Sequence, residues 1–295
     1  MNKQLIITAD DYGLCAPVND AIEECLAAGV TRATCVMTNM PEYAQAAQLR
    51  TKFPDCSVGI HWNLTQGRPV LSPALVPSLV NPDGMFFRSL RQRWLAGKIN
   101  LTDILAELRA QYMRFREVAS NPDFWNTHQD SHIWPGLFHT FVDAGKELAI
   151  PAMRSHRRFT VPLGSSWLRY HMRHPVYWAK GEVIARWSDE AEAKQTAMPA
   201  GRIYTPGCSL DSSSFQEALN RIGWERVQRP LELAIHPATR VEAALFGSLT
   251  QSRIRDYELF RNPRLRDRLQ QIGVRPVGFE ALRQNRSFGR HGVAA

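Results

Sequence analysis

Two adjacent aspartates, Asp10 and Asp11, follow directly on the apolar, β-branched run of residues 5–9 and precede a glycine at position 13. The run predicts a first strand, which places the pair in a loop between a strand and a helix. Adjacent carboxylates in such a loop point in different directions, so one can hold a cation while the other takes a proton from a bound water. An Asp-Asp pair also occurs as a plain turn or helix N-cap, and its place after the strand favours the chemical interpretation.

Two histidines stand near the ends of other predicted strands. His61 lies in the stretch GIHWNLT at residues 59–65, and His236 follows the apolar run of residues 231–235. Each is compatible with a hydrogen-bonded structural histidine, and neither indicates a function by itself. Beside a metal site, however, a histidine that is not a ligand is suited to protonate a leaving amine, and His236 is the candidate for that role.

The stretch NTHQDSHIWP at residues 126–135 contains several polar side chains at alternate positions. If it is a strand, its two-residue period places Asn126, His128, Asp130 and His132 on one face. Four polar groups on one face of a buried strand are costly unless they bind something. A metal held by neutral imidazoles and a carboxylate satisfies them and lowers the pKa of its bound water. By geometry alone, either His128 or His132 completes such a set.

The order of the predicted elements indicates how these residues meet. Residues 5–9, 33–37 and 58–64 predict strands, and helices are predicted between them from Pro17 onward and over residues 42–49. This alternation predicts a parallel sheet covered by helices, in which loops at the C-terminal ends of the strands hold the chemistry.

The rest of the chain continues the alternation with two interruptions. Residues 66–99 predict a long loop over the mouth of the sheet, and residues 157–187, rich in aromatic and basic side chains, predict an insertion or lid. Its aromatic and basic side chains suit stacking on a ring-shaped ligand, contact with an anionic ligand, or a packing or homodimer surface. The remaining predicted elements are helices over 101–115, over 138–148 and from Val241, strands over 125–133, 151–154 and 231–235, and a flexible tail from about residue 284.

Composition predicts one globular domain over residues 1–295. The chain is 44% hydrophobic and 22% charged and has no linker-like stretch. It shows neither a leader-type N-terminus nor a run of roughly 18 apolar residues, and its five cysteines form no Cys-x-x-Cys pair. We therefore expect a cytoplasmic protein with reduced thiols and no membrane span. The net charge of +8 is spread along the chain without a recognisable reading module, which favours a solvated basic surface over nucleic-acid binding.

Taken together, the motifs resemble those of the YdjC-like carbohydrate deacetylases, a family that includes chitooligosaccharide deacetylases and hopanoid-biosynthesis-associated deacetylases. The resemblance spans most of the chain and lies in order and spacing as much as in residue type. Its stretches are TADDYG at 8–13, GIHWNLT at 59–65 followed by GRP at 67–69, EL at 107–108 with QY at 111–112, NTHQDSHIWP at 126–135, and ELAIHP at 232–237.

The resemblance implies a fold and a set of roles. The implied fold is a distorted (β/α) barrel of mainly parallel strands, similar to polysaccharide-deacetylase-like barrels. In it, Asp11 and His61 become ligands of a divalent ion, Asp10 becomes the base, and His236 becomes the acid toward the departing amine. Arg154 matches a family arginine and is expected to orient Asp10.

The third ligand depends on the alignment upstream of Pro135. A gapless alignment on that proline selects His128 and makes His132 the family's last histidine. Alignment on the family's Asp-Ser-His selects His132 instead but needs a gap before the proline, so we prefer His128. Asp130 then stands in place of the family's middle histidine, where it could bind a substrate amine or hydroxyl or alter the metal preference.

The function implied by the resemblance is metal-dependent removal of the acetyl group from an N-acetylated sugar. The sugar is a chitooligosaccharide, another glycan that contains N-acetylglucosamine, or a lipid-linked amino sugar. Two imidazoles and one carboxylate suit one divalent ion, zinc or magnesium, and tolerate manganese or cobalt. The alternatives are a non-catalytic sugar-binding or regulatory protein on the same barrel, and a hydrolase of another amide or a phosphoester.

Overall fold

The computed structural model describes residues 3–163, 172–194, 196–205, 211–247 and 249–284. Within these residues, eight strands form one sheet, and all of its named pairings are parallel. The strands are β1 Lys3–Tyr12, β2 Ala33–Val36, β3 Ser57–Trp62, β4 Trp125–Thr127, β5 Arg158–Thr160, β6 Arg202–Tyr204, β7 Leu231–Ile235 and β8 Val274–Val277.

The sheet is curled. Its order is β4-β3-β2-β1-β7-β6-β5, with β8 beside the first half of β1. Beyond β4, Trp125 bridges Met153, and Ala152 bridges Ala197. Ala200 then donates a hydrogen bond to the carbonyl of Pro230, next to β7. The expected distorted (β/α) barrel of mainly parallel strands is therefore confirmed.

Helices occupy the connections between the strands. Helix α1 begins after Cys15 with Pro17 in its first turn, where the missing proline N–H costs nothing, and its Val18–Ile22 face is buried. The helices are α1 Ala16–Ala27, α2 Leu49–Lys52, α3 Leu90–Leu95, α4 Leu101–Ala119, α5 Leu137–Glu147, α6 Pro175–Ala193, α7 Ser212–Arg221, α8 Ala243–Phe246, α9 Gln251–Phe260, α10 Arg264–Gln271 and α11 Ala281–Gln284. Among the described residues, no helix combines the length and apolar character that crossing a membrane requires.

Close packing between β3 and the chain before β4 sets the register at the site. A Cβ added to Gly59 would lie 2.7 Å from both the ring and the carbonyl oxygen of Phe124, so only glycine fits there. This approach lets His61 pair with Asn126 across β3 and β4. The two side chains consequently emerge together at the C-terminal edge of the sheet.

The predicted strand over residues 125–133 is wrong in its second half. Strand β4 ends at Thr127, and a 3-10 turn follows over His128–Asp130. Gln129 and Asp130 adopt positive φ values of 56° and 48°, which break the two-residue period. The four polar side chains of this stretch therefore do not share one strand face.

The predicted insertion over 157–187 is partly built into the sheet. It contains β5, which pairs with β6, and the first part of α6. Trp187 on α6 packs against Phe138 of α5, with ring centroids 5.6 Å apart. Trp167 and Tyr170 lie outside the described residues, as does the predicted tail beyond residue 284, so the lid and the flexible tail stay predictions.

Candidate metal centre and active site

A β-bulge at the end of β1 presents the two aspartates. The register of β1 against β2 shifts between Ala9 and Tyr12, and Asp11 has a φ of 73°. The pair is thus part of the strand rather than of the predicted loop. Because the bulge re-aims successive side chains, both carboxylates reach the C-terminal edge of the sheet in different directions.

Asp11, His61 and His128 converge on one point. Oδ1 of Asp11 lies 3.1 Å from Nε2 of His61 and 3.0 Å from Nδ1 of His128. The three residues are 0%, 2% and 7% exposed, respectively. Among the described residues, they form a group whose spacing suits a metal ion.

The hydrogen-bond network assigns the protons of His61. The Asn126 amide nitrogen donates to Oδ1 of Asp10 at 3.2 Å, so the amide oxygen of Asn126 accepts from Nδ1–H of His61 at 2.5 Å. Nε2 is then the nitrogen that faces Asp11. Burial opposes a charge on His61, yet Cys35 and then Asp11 raise its pKa well above the ordinary value. In the ion-free protein Nε2 therefore carries a proton, which a bound metal ion would replace.

His128 is assigned in the same way. The Gln66 amide nitrogen donates to the carbonyl of Leu245 at 3.0 Å, and the Gln66 amide oxygen accepts from Nε2–H of His128 at 3.1 Å. Nδ1 of His128 is then the nitrogen that faces Asp11. Imidazole nitrogens and a carboxylate oxygen at these distances repel one another unless a proton or a metal ion lies between them, and this donor set fits one divalent ion.

Asp10 is held by Arg154 in a buried ion pair. Nη1 of Arg154 donates to Oδ2 of Asp10 at 2.6 Å and Nη2 donates to Oδ1 at 2.8 Å, while Nε donates to Glu232 at 2.9 Å. All three residues are at most 2% exposed. Burial raises the pKa of Asp10, but the charge and hydrogen bonds of Arg154 together with His61 and His236 outweigh burial, and the pKa ends below its usual range. Asp10 is accordingly an ionised carboxylate of fixed orientation.

His236 faces Asp10 from the end of β7. Its Nε2 lies 3.6 Å from Oδ2 of Asp10, and its backbone N–H donates to Asp256 at 2.8 Å. Loss of hydration where the ring packs against the protein lowers the pKa of His236 to about 4, although 32% of the side chain is exposed. His236 is thus neutral at pH 7 and can accept a proton before it gives one away.

His132 and Asp130 lie apart from this group. Nδ1 of His132 is 2.6 Å from Oγ1 of Thr127, and its ring packs 5.6 Å from that of Phe138. Asp130 forms an ion pair with Arg202 at 2.9 Å. Of the two histidines left open by the sequence, the structure places His128 beside Asp11 and His61.

Sequence comparison with known proteins identifies the family of this chain. A sequence model of the YdjC-like protein family matches residues 4–271. The chain belongs to the YdjC-like family. It is 29% identical over 279 residues to a chitooligosaccharide deacetylase of Yersinia enterocolitica, covering 93% of this chain and 97% of that one. It is 36% identical over 155 residues to a chitooligosaccharide deacetylase of Yersinia pestis, covering 51% and 59%.

A solved structure supports the fold of this YdjC-like chain. The crystal structure of a putative cellobiose-phosphate cleavage protein from Enterococcus faecalis superposes with a TM-score of 0.74 at 21% identity. The match covers 96% of this chain and 99% of the other. At that identity, the likeness establishes a shared fold.

A second group in the YdjC-like chain also has metal-binding residue types. Asp10, Cys35 and His61 lie close enough to share an ion. However, Arg154 already neutralises Asp10, and burial raises the pKa of Cys35 to about 11, which keeps the thiol protonated. Since a thiol binds metal as its thiolate, the group around Asp11 is the better site.

Sequence reasoning missed Arg253. Its Nη2 donates to Oδ2 of Asp11, and its guanidinium carbon lies 4.5 Å from the ring centroid of Phe246. Arg253 comes from the first turn of α9, in a segment without a chemical motif. Glu232 lies in the motif at residues 232–237, and a carboxylate inside the apolar run LELAI is itself a signal of a buried ion pair.

Proposed function

We propose that this YdjC-like chain is a hydrolase that removes the acetyl group from an N-acetylated sugar with the help of one divalent ion. The ion would be held by Asp11, His61 and His128. The convergence of two imidazole nitrogens and a carboxylate oxygen beside the ionised Asp10 is the observation that supports this function. The Yersinia relatives named chitooligosaccharide deacetylases support the sugar as the substrate class.

A bound ion would polarise the amide carbonyl and acidify a water in this pocket. Asp10 is placed to receive the proton of that water. Its Oδ1 already accepts from Arg154, Asn126 and Cys35, whereas Oδ2 accepts from Arg154 and faces His236. Oδ2 is therefore the atom with a lone pair for general-base catalysis.

His236 completes the proton path. A proton on Oδ2 of Asp10 lies next to the neutral Nε2 of His236 at 3.6 Å, a spacing that one small movement closes. His236 then gives the proton to the nitrogen of the departing amino sugar. Arg154 keeps Asp10 in place throughout, since both of its terminal nitrogens bind that carboxylate.

The same residues bear on the alternatives. A sugar-binding or regulatory protein would need a pocket but neither an ionised buried base nor a cation site, so the Asp10 and Asp11 arrangement speaks against it. A hydrolase of another amide would use the same geometry and differs only in substrate. The cytoplasmic location, a homodimer and the absence of a nucleic-acid partner stay predictions.

Reconstitution tests the proposal. We would strip the purified chain with a chelator, add zinc, magnesium, manganese or cobalt singly, and measure acetate release from N-acetylglucosamine oligomers, nucleotide sugars and lipid-linked N-acetyl sugars. The expected result is loss of activity on stripping and its return with at least one ion. Absence of acetate from every N-acetylated sugar with every ion would overturn the proposal, and release from other amides alone would establish the runner-up.

A further inference from the structure

Helix α9 supports the active site at two positions. Arg253 on this helix binds Asp11, and Asp256 lies three residues later on the same face of the helix. Oδ2 of Asp256 accepts a hydrogen bond from the backbone N–H of His236 at 2.8 Å. One helix therefore contacts both a proposed metal ligand and the proposed acid.

The loop that follows β7 depends on this helix for its backbone hydrogen bonds. Strand β7 ends directly before His236, so the N–H of His236 lies beyond the paired part of the sheet. That N–H donates to Asp256, Pro237 has no N–H, and Ala238 donates to the carbonyl of Arg253 at 3.3 Å. The carboxylate of Asp256 thus continues the hydrogen bonding of the strand for one more residue.

The position of the His236 ring depends on its backbone. Its Nε2 lies 3.6 Å from Oδ2 of Asp10, which is longer than a hydrogen bond. Within the described part of the chain, no hydrogen bond holds the ring, and 32% of the side chain is exposed. Pro237 restricts the residue before it to extended backbone conformations. The anchored backbone of His236 therefore determines how closely the ring approaches Asp10.

Asp256 is a charged acceptor at neutral pH. Burial raises its pKa to about 6, and the N–H of His236 and the charges of Arg253 and Arg255 oppose that rise. A carboxyl group with this pKa is predominantly ionised at pH 7, so the N–H of His236 donates to an anion. Hydrogen bonds to an ionised acceptor are roughly twice as strong as those between neutral groups. The carboxylate therefore anchors His236 more firmly than an amide or a hydroxyl would.

We propose that Asp256 is a positioning residue, which fixes the backbone of His236 so that its ring relays a proton from Asp10 to the departing amine. The proton leaves Oδ2 of Asp10 for Nε2 of His236 and passes from there to the nitrogen of the amino sugar, while Asp256 stays ionised. This role rests on the proposed function for its reaction. The hydrogen bond between Asp256 and His236 is testable without any reaction.

Two substitutions of Asp256 separate positioning from folding. Asp256→Leu removes the acceptor, whereas Asp256→Asn keeps an amide oxygen for the same N–H. We would measure metal-loaded protein with N,N′-diacetylchitobiose or, if it is inert, with the best substrate of the reconstitution series. Asp256→Leu is expected to lower kcat by about 10–10²-fold with KM and metal affinity within about threefold, and Asp256→Asn to restore kcat to within about threefold of the wild type. Glu258→Leu replaces an exposed acid on the same helix and should keep full activity.

A double-mutant cycle tests whether Asp256 acts through His236. If the carboxylate positions that ring, Asp256→Leu is expected to lower kcat by less than about twofold once His236→Ala has removed the ring. A purely structural role would lower kcat by the same factor in both backgrounds, because the two effects would be independent. Equal losses in the two backgrounds, or wild-type kcat in Asp256→Leu, would overturn the role assigned to Asp256.

Hydrogen exchange of the His236 amide separates this role from the proposed function. In stripped protein, loss of a hydrogen bond to a charged acceptor is expected to speed this exchange by about 10–10²-fold in Asp256→Leu, while the amides of β1 keep their rates. Glu258→Leu is expected to exchange like the wild type. If no sugar releases acetate but the His236 amide responds as described, the proposed function fails and the anchor stands. If sugar is deacetylated but Asp256→Leu leaves this exchange rate unchanged, the anchor fails alone.

Discussion

Arg253 and Asp11 form an ion pair inside the protein, where both residues are at most 2% exposed. Nη2 of Arg253 donates to Oδ2 of Asp11, while Oδ1 faces His61 and His128. The guanidinium thereby leaves one oxygen of Asp11 for an ion. It also balances part of the carboxylate charge, which bulk water does not reach at this depth.

Replacing Arg253 with methionine is expected to lower the free energy of unfolding, and the loss should be larger in the metal-free protein than in the metal-loaded protein. An unpaired buried charge typically costs about 3–5 kcal/mol, and an ion at Asp11 would offset part of that cost. Urea unfolding of stripped and metal-loaded protein would measure the two effects, with Arg186→Met as the exposed control. The metal-induced gain in unfolding free energy should be larger in the Arg253 variant. An equal or smaller gain would contradict the pairing described.

His128→Ala and His132→Ala are expected to separate metal binding from folding. The first removes a nitrogen that faces Asp11 at 3.0 Å, and affinity should fall by at least about 10²-fold, as expected for loss of a direct ligand beyond the 10–100-fold typical of outer-shell partners. The second opens a space among Phe138, Phe141 and Trp125 and should lower stability while affinity changes by less than about threefold. Equilibrium dialysis with zinc and magnesium gives the affinities. The reverse order would transfer the ligand role to His132.

The residues that the sequence places at strand ends could be predicted because a parallel sheet gathers the carboxyl ends of its strands on one edge. Asp10, Asp11 and His61 belong to this group, and the His61–Asn126 register brings the next strand alongside. Arg253 could not be predicted, since it comes from a helix and lies 242 positions along the chain from Asp11. The alternation of polar residues over 126–132 likewise could not predict the positive φ values of Gln129 and Asp130, which follow the end of β4.

His132 predicts a pH dependence of stability. Burial lowers its pKa to about 3 in the folded protein, against 6.5 for the free side chain. As the pH falls, His132 binds a proton in the unfolded chain before it does so in the folded protein. The stability that the neutral, buried His132 contributes is therefore present above pH 6.5 and is lost as the pH falls toward 3. One such group contributes a slope of up to about 1.4 kcal/mol per pH unit. Urea unfolding between pH 6.5 and 4.5 should show a smaller slope in His132→Asn than in the wild type.

The comparison with the wild type removes the contributions of the other titrating groups from the His132 measurement. His61, for example, has a raised pKa, so its contribution to stability is present below pH 6.5 and is lost as the pH rises above that value. Arg186→Met, at an exposed position of α6, gives the control and should leave the slope unchanged. Identical slopes for wild type and His132→Asn would mean that this imidazole titrates alike in both states.

Asp10→Asn tests the base while sparing the ion. Asparagine keeps the shape of the side chain and can still accept from Arg154, which also retains Glu232, but it cannot take a proton at the position of Oδ2. Loss of a positioned general base typically lowers turnover by about 10²–10⁴-fold. Metal affinity should change by less than about threefold, because Asp11, His61 and His128 are untouched. Asp20→Asn, at an exposed position of α1, should keep full activity. Wild-type acetate release by Asp10→Asn would place the base elsewhere.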